Sequence, residues 1–265
     1  MRNSTIAIPS LFFIALLFAS PALGTEQKTI PHPSWRPQWE KAKGLEKQGS
    51  YLEAKEIYDS LLQKEHLGRK KRIILKEYEA LRIKILFSKF ETPDSIVHTV
   101  IPGDTLYALA KKYGTTTELL QKSNGIEGDH IYPGMKLKVN RSQFSVLVEK
   151  HSNRLTLLAD AKNVKTYRVA TGVEGSTPEG TFKIVNKLKD PTWFHEGAVV
   201  PPDSPENILG TRWLGFDSRG YGIHGTALPQ TIGTQASKGC IRMHNPDVEE
   251  LYMLLPVGTE VTIKN

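Results

Sequence analysis

The chain of 265 residues is 39% apolar and 24% charged, which is typical of a folded protein with two or three small domains and excludes a disordered chain. Its formal net charge of +7 comes without a stripe of Arg and Lys interleaved with aromatic residues. This distribution excludes a nucleic-acid reader and favours an anionic polymer as partner.

The N-terminus has the pattern of an export signal. Arg2 precedes an uncharged apolar run at residues 11–19, and residues 22–24 place small side chains where a signal peptidase cleaves. We therefore expect residues 1–24 to be a signal peptide and the protein to reach the periplasm or the cell wall. An uncleaved anchor is the alternative, because residues 6–23 are nearly long enough to span a bilayer.

Residues 25–94 predict a short helical region. Between residues 39 and 89 the apolar residues recur at three- and four-residue steps, and Gly49 and Gly68 interrupt the pattern. Two or three amphipathic helices are therefore predicted, and residues 49–61 resemble one tetratricopeptide-type hairpin. A packed helical spacer is the favoured interpretation, because a single repeat cannot bury its own face. A partner-binding role is the alternative to the spacer.

Residues 98–139 predict a strand, two helices and a second strand. Asp104 or Thr105 can cap the first helix, and Thr116 or Thr117 can cap the second. A small α+β unit with the order βααβ is therefore predicted.

Many fixed positions in this stretch occur together. They are His98-Thr99-Val100, Gly103-Asp104-Thr105-Leu106, Ala110, Tyr113-Gly114, Leu119, Asn124, Ile131, Pro133-Gly134 and Leu137. Over its whole length, residues 97–140, the stretch resembles a LysM module. The resemblance implies binding of N-acetylglucosamine-containing glycan, chiefly peptidoglycan, in a shallow groove between two strand–helix loops.

The resemblance also implies which residues contact the glycan. These are Gly103, Asp104, Thr105, Leu106, Asn124, Ile131, Tyr132 and Pro133. A structural role is the alternative for each of them. Leu106 fits a core position, and Asp104 can serve only as a helix cap.

Residues 143–265 predict a mainly-β domain. Short alternating segments separated by turn residues favour a sandwich or barrel over a parallel sheet. The predicted strands are residues 144–148, 154–158, 166–170, 180–184 and 260–263. One helix is predicted at residues 245–255, with Asn245 as its cap and Pro246 in its first position. Trp193, Trp213 and Tyr221 either line a cleft or fill the core.

Two loops of this domain carry the residue types of nucleophilic catalysis. His224 and the sole cysteine, Cys240, each lie beside a glycine. A nearby imidazole can take the thiol proton, and the resulting ion pair lowers the thiol pKa. On composition alone, Cys240 can equally be a small buried apolar residue.

The two loops also have a recognisable spacing. The residues are His224-Gly225-Thr226 and Ser237-Lys238-Gly239-Cys240-Ile241-Arg242-Met243, with Thr177-Pro178-Glu179-Gly180-Thr181-Phe182 upstream. They resemble the signature of YkuD-type L,D-transpeptidases, and the resemblance covers the whole last domain.

The resemblance implies a role for each residue of the site. Cys240 is the acylated nucleophile, and His224 is the general base and then the general acid. The Gly225 carbonyl orients the imidazole, for which Asp217 is an alternative partner. Gly239 and Cys240 offer backbone N–H groups to the oxyanion. No metal and no cofactor are expected.

Three further residues are candidates for substrate binding: Ser237, Lys238 and Arg242. Lys238 replaces the histidine of the commoner family pattern, and its cation either meets a substrate carboxylate, lowers the thiol pKa, or is simply solvated. Arg242 can hold a carboxylate through two hydrogen bonds, unless it pairs with Asp247 or with the turn at Asn245.

The implied reaction is acyl transfer in two steps. The thiolate attacks the L-to-D peptide bond of a stem tetrapeptide, a thioester forms, and an amine of a neighbouring stem displaces it to cross-link the wall. Water in place of the amine gives an L,D-carboxypeptidase. A non-catalytic wall-binding adaptor is the third interpretation. Peptidoglycan is the expected partner in all three.

Overall fold

The structure, a computed structural model, describes residue 1 and residues 35–64, 67–195 and 197–265. Residues 2–34 lie outside this part, and with them the predicted signal peptide. In the described part of the chain, no helix combines the length and apolar character that crossing a bilayer requires.

Three helices form the N-terminal region: α1 (Trp35–Gln48), α2 (Tyr51–Leu62) and α3 (Lys70–Leu86). Gly49 separates the first two with a φ of +83°, a conformation that side chains with a Cβ rarely adopt. The helices share one apolar core, as their spacing predicts. Its buried members are Ala42, Ala54, Tyr58, Leu61, Leu67, Ile74, Tyr78, Leu81 and Ile85.

The βααβ module follows the helical region. It consists of β1 (Ser95–Thr99), α4 (Leu106–Tyr113), α5 (Thr117–Asn124) and β2 (Lys136–Asn140), with the two strands antiparallel. Thr105 and Thr116 are the helix caps. The Thr105 hydroxyl accepts the Ala108 N–H at 3.1 Å, and the Thr116 hydroxyl accepts the Leu119 N–H at 2.9 Å.

Polar contacts join the helices, the module and the last domain, and residues 35–265 form one compact unit. The Lys138 ammonium of β2 donates to the carbonyls of Ile85 at 3.0 Å and Ser88 at 2.9 Å, at the C-terminal end of α3. Burial lowers the Lys138 pKa to about 8. The Glu79 carboxylate of α3 accepts the Thr166 N–H of the last domain at 3.2 Å.

The last domain is built on one eight-stranded sheet with the order β13-β11-β10-β7-β14-β3-β4-β5. Two small pairs, β6 with β12 and β8 with β9, lie beside it. The strands are β3 (Phe144–Glu149), β4 (Arg154–Ala159), β5 (Lys162–Arg168), β6 (Thr171–Gly172), β7 (Gly180–Lys189), β8 (Trp193–His195), β9 (Ala198–Val200), β10 (Arg212–Phe216), β11 (Gly222–His224), β12 (Gln235–Ser237), β13 (Ile241–Arg242) and β14 (Glu260–Lys264). The mainly-β prediction is confirmed.

The predicted third strand is displaced towards the N-terminus. It begins at Lys162, where pairing with β4 starts, rather than at residue 166. Asp160 and Ala161 adopt positive φ angles of 50° and 61°, so the chain reverses in a tight turn and pairs at once.

The helix α6 (Asn245–Leu254) packs against the sheet at β10 and β11. Leu214, Ile223 and Ile241, on three adjacent strands, are buried in the core that α6 completes. Because side chains alternate across a strand, the residues next to them point to the opposite face. That face carries the candidate site.

Candidate active site

The two loops predicted to carry the chemistry meet at one edge of the sheet. β11 and β13 run parallel, with His224 beside Arg242 and Ile223 beside Ile241. The same register, continued by one residue, sets Cys240 beside Gly222. Cys240, His224 and Arg242 therefore share the face opposite the α6 core.

A backbone carbonyl orients the His224 imidazole. Nδ1 lies 2.6 Å from the Gly225 oxygen, and a carbonyl only accepts, so Nδ1 carries the proton and Nε2 is left with its lone pair. The ring also stacks on Trp213, with 5.9 Å between centroids and 23° between planes. Asp217 instead accepts the Lys183 N–H at 3.1 Å, which leaves the Gly225 carbonyl as the orienting group.

Burial determines the protonation of the pair. Desolvation, together with the smaller effect of the Arg242 charge, lowers the His224 pKa to about 4, while the backbone carbonyls of Gly225 and Leu209 act in the other direction. Desolvation also raises the Cys240 pKa, although the Gly222 N–H and the Arg242 charge act in the other direction. Both shifts favour an uncharged thiol and an uncharged imidazole at neutral pH over an ion pair.

Cys240 is a free, partly exposed thiol whose Sγ lies 3.4 Å from the Gly220 oxygen. Glycines make room around it. A Cβ at Gly239 would stand 2.7 Å from the Tyr221 ring, and a Cβ at Gly222 would stand 2.9 Å from the Trp213 ring. The two aromatic rings therefore pack directly on the backbone beside the thiol.

Ser237 holds the cysteine loop from inside. Its hydroxyl donates to the Cys240 carbonyl at 2.6 Å and accepts the Gly239 N–H at 3.1 Å. Ser237 is buried, whereas Lys238 is exposed. The Ser237 hydroxyl and the Gly239 N–H therefore have partners within the loop, and their expected roles in binding the substrate and the oxyanion stay predictions.

Arg242 is a buried cation with an unsatisfied donor. It is 8% exposed, and its Nε has no hydrogen-bond partner among the described residues. Within the same part of the chain no ion pair joins it to Asp247. Desolvation lowers the Arg242 pKa, because an unneutralised buried charge is unfavourable. Such a group suits an anion that enters from outside.

The helix-cap prediction for Asn245 is wrong. His244 is the N-cap of α6, and Asn245 is its first helical residue. The Asn245 Oδ1 instead accepts the N–H groups of Thr226 at 3.0 Å and Thr211 at 3.4 Å, both in loops beside His224.

A second concave site lies on the βααβ module. A groove of about 650 Å³ is lined by Asp104, Thr105, Leu106, Tyr107, Thr117, Asp129, His130 and Ile131. Gly103 and Pro133 are exposed, Tyr107 is 73% exposed and Tyr132 66% exposed. The groove thus combines the exposed phenol ring of Tyr107 with polar loop residues.

Two of the expected glycan contacts, Asn124 and Asp104, also make hydrogen bonds within the module. The Asn124 amide is buried, accepts the Lys138 N–H at 2.7 Å, and donates to the carbonyls of Lys138 at 2.9 Å and Leu120 at 2.8 Å. These hydrogen bonds use the amide within the module, and the glycan-binding role of Asn124 stays a prediction. Asp104 lies 2.8 Å from His98 Nε2 and accepts the Ile101 N–H at 3.0 Å.

Residues 143–263 match the family model of the L,D-transpeptidase catalytic domain, YkuD, and residues 98–140 match that of the LysM domain. The putative L,D-transpeptidase YkuD of Bacillus licheniformis is 34% identical over 176 residues, which cover 63% of this chain and 98% of the relative. This chain belongs to the YkuD family of L,D-transpeptidases. The putative L,D-transpeptidase YqjB of Bacillus subtilis is 43% identical over 124 residues, 44% of this chain and 69% of that protein.

Solved structures with a similar chain path are also L,D-transpeptidases. One from Mycobacterium tuberculosis H37Rv has a TM-score of 0.41 and 16% identity, over 50% of this chain and 63% of that chain. The catalytic domain of the E. faecium enzyme has a TM-score of 0.38 and 24% identity, over 46% of this chain and 97% of that chain. The recognition of a YkuD-type domain and a LysM module from sequence is confirmed.

Sequence reasoning missed or misread three residues that matter in this YkuD-type domain and its LysM module. For Trp213 the sequence does not decide between cleft and core, for Asn245 it predicts a helix cap, and for Tyr107 it gives no indication of a role. The spacing of hydrophobic residues in the β10 segment places Trp213 opposite Leu214, which was a usable signal for its face.

Proposed function

We propose that the protein is a peptidoglycan L,D-transpeptidase in which Cys240 is the acylated nucleophile and His224 carries the proton. One observation supports this most directly: the free thiol of Cys240 and the imidazole of His224 lie on the same face of two adjacent strands. The Gly225 carbonyl orients that imidazole, and the chain belongs to the YkuD family. Members of this family are transferases.

The first step begins from the uncharged pair. The sulfur attacks the carbonyl carbon between the third and fourth residues of a stem tetrapeptide, while His224 Nε2 takes the thiol proton. Both pKa shifts disfavour separated charges, so proton transfer accompanies attack rather than preceding it. The C–N bond then breaks, His224 returns the proton to the departing D-amino acid, and a thioester remains on Cys240.

A backbone N–H group and the Arg242 cation stabilise the negative charges that develop in this step. The Cys240 N–H is the donor we assign to the oxyanion, since the Gly239 N–H donates to Ser237. Arg242 supports the developing thiolate, and its unsatisfied Nε suits a carboxylate of the stem peptide. Exposed Lys238 lies on the same loop and can meet a second carboxylate.

In the second step an amine of a neighbouring stem attacks the thioester carbonyl and gives up a proton to His224. The new amide bond is a cross-link, the C–S bond breaks, and His224 returns the proton to the sulfur of Cys240, which restores the thiol. Water in place of the amine releases a tripeptide, which is the carboxypeptidase reaction. Closed access to the thiol would leave only a wall-binding adaptor, but the partial exposure of Cys240 favours an enzyme.

The LysM module, in our proposal, binds the glycan strands of peptidoglycan and raises the local concentration of stem peptides at the cleft. The exposed Tyr107 and Tyr132 rings can lie against sugar faces. The helical region at residues 25–94 then serves as a spacer. Both domains act on the cell wall, so we propose that residues 1–24 direct export to the periplasm or wall.

Incubation of the purified protein with tetrapeptide-bearing wall fragments, followed by mass spectrometry, tests these proposals. Cross-linked dimers are the expected product. Tripeptides alone would indicate the carboxypeptidase, and unchanged fragments that co-sediment with the protein would indicate the adaptor. A carbapenem, a reactive class for this family, should add its mass to the wild type and not to Cys240→Ser. An adduct on that variant would contradict the nucleophile assignment.

A further inference from the structure

The Asn245 side chain packs against the backbone of two glycines, Gly225 and Gly210. Its Oδ1 would collide with a Cβ at Gly225 or at Gly210, so both neighbouring positions need glycine. The oxygen accepts two N–H groups, from Thr226 at 3.0 Å and from Thr211 at 3.4 Å. Three separate segments, α6 and the two loops, therefore converge on one amide oxygen.

The peptide unit between Gly225 and Thr226 is hydrogen-bonded at both of its ends. Its carbonyl accepts the His224 Nδ1–H at 2.6 Å, and its N–H donates to the Asn245 Oδ1 at 3.0 Å. An acceptor on the N–H draws the peptide's polarisation in the direction that makes its carbonyl oxygen more negative. Imidazole, peptide and amide thus form one continuous chain of hydrogen bonds.

Among the described residues no carboxylate is hydrogen-bonded to the His224 imidazole, and this series of hydrogen bonds takes its place. Asp217, the alternative partner that the sequence offers, accepts the Lys183 N–H. The imidazole becomes positively charged during acyl transfer, in a buried position beside the Arg242 cation. A more negative Gly225 oxygen stabilises that transient charge.

We propose that Asn245 is a positioning residue for catalysis: through the Gly225–Thr226 peptide, it holds and polarises the carbonyl that orients His224. In other triads a carboxylate orients the imidazole and stabilises its charge by direct contact. Asn245 does the same indirectly, through the peptide between Gly225 and Thr226. This inference rests on the proposed function of His224 and adds to it a residue outside the family signature. Asn245 touches neither substrate nor nucleophile.

Two substitutions separate this role from a purely structural one. Asn245→Asp keeps an oxygen that accepts both N–H groups and adds a negative charge, whereas Asn245→Leu removes the acceptor at similar volume. Asn163→Asp is the matched control, because it adds the same charge on exposed residue 163 of β5, at the opposite end of the strand order from β11.

The first measurement is the titration of the His224 ring by NMR in the full chain, which needs no substrate. Asn245→Asp should raise the pH midpoint by about one unit or more, since a negative charge nearby favours the imidazolium. Asn163→Asp should leave it unchanged. A midpoint in folded Asn245→Asp that equals the wild-type value would overturn the proposal, whatever the fate of Asn245→Leu.

The second measurement is the rate of Cys240 acylation by a stem tetrapeptide. Asn245→Leu should lower kcat about ten-fold with KM unchanged, and Asn245→Asp should restore most of the loss. A fall in KM and kcat that both variants share would indicate a structural role only. If the wild type itself forms no acyl-enzyme, the proposed function fails, while the NMR titration still decides the link between Asn245 and His224.

Discussion

The LysM module and the edge of the catalytic sheet use buried polar residues in opposite ways. In the module, Asn124 is fully hydrogen-bonded by Leu120 and Lys138. At the sheet edge, the Arg242 Nε is buried without a partner in the described part of the chain, and His224 retains a lone pair on Nε2. Both regions look equally polar in the sequence.

The difference shows how to separate scaffold from site. A buried polar group whose donors and acceptors are all used within the protein stabilises the fold and has nothing left for a ligand. A buried group with an unused donor or lone pair is unfavourable for folding, and a ligand or reaction explains it. Asn124 belongs to the first kind, and Arg242 and His224 belong to the second.

The largest effect should come from protonation of His224. Its folded pKa of about 4 lies below the ordinary value of 6.5, so the unfolded chain takes up a proton first as the pH falls. The resulting stability is complete above pH 6.5 and is lost on acidification towards pH 4. Urea unfolding at pH 7.0 and 4.5 should show a loss of roughly 2–3 kcal/mol in the wild type that is missing in His224→Gln. Equal losses in both proteins would count against a neutral buried imidazole.

The scaffold side of the comparison is tested at Asn124. Asn124→Ala should destabilise the protein by about 2 kcal/mol, because the Lys138 N–H and two carbonyls lose their partner inside the fold. Lys122→Ala, at an exposed position of the same helix, should change stability by less than about 0.5 kcal/mol. If Asn124→Ala kept its stability but lost glycan binding, Asn124 would be a ligand residue after all.

The site side of the comparison is tested at Arg242. Arg242→Gln should lower kcat/KM for a tetrapeptide donor about ten-fold, mainly through KM, because the carboxylate loses a charged partner. Thermal stability should stay the same or rise, since an unsatisfied buried cation is removed. Lys162→Gln, at an exposed position of β5 at the other end of the sheet, serves as the control. A marked loss of stability with unchanged KM would assign Arg242 to the scaffold.

The smallest effect is expected at Tyr107, which is 73% exposed beside the module's groove. Tyr107→Ala should weaken co-sedimentation with peptidoglycan several-fold and leave the melting temperature within about 1 °C, as usual for an exposed side chain. Point substitution is preferable to deletion of the module, because Leu119 belongs to the core of the catalytic domain. Unchanged co-sedimentation would remove this ring from the proposed glycan surface.

Local pattern predicted much of this fold. The helix caps at Thr105 and Thr116, the break at Gly49 and the strands beginning at Phe144 and Arg154 depend on residues close in sequence, and all are present. The start of β5 was misplaced, because hairpin pairing with β4 outweighs the pattern of its own residues. Asn245 was misread for the same reason, since its partner Thr211 comes from a distant segment.

The sequence by itself determined the family, the mainly-β and βααβ elements, and the pairing of a histidine loop with a lone cysteine, because short-range spacing and residue type encode all three. Only the tertiary structure decided which polar groups have hydrogen-bond partners within the protein and which remain available to a ligand. The Ser237 hydroxyl, the Asn124 amide and the Asn245 oxygen find their partners by three-dimensional packing, and the neutral state of His224 follows from burial among distant segments. Hydrogen-bond satisfaction and desolvation depend on all the atoms around a group, and the spacing of residues along a chain does not specify those atoms.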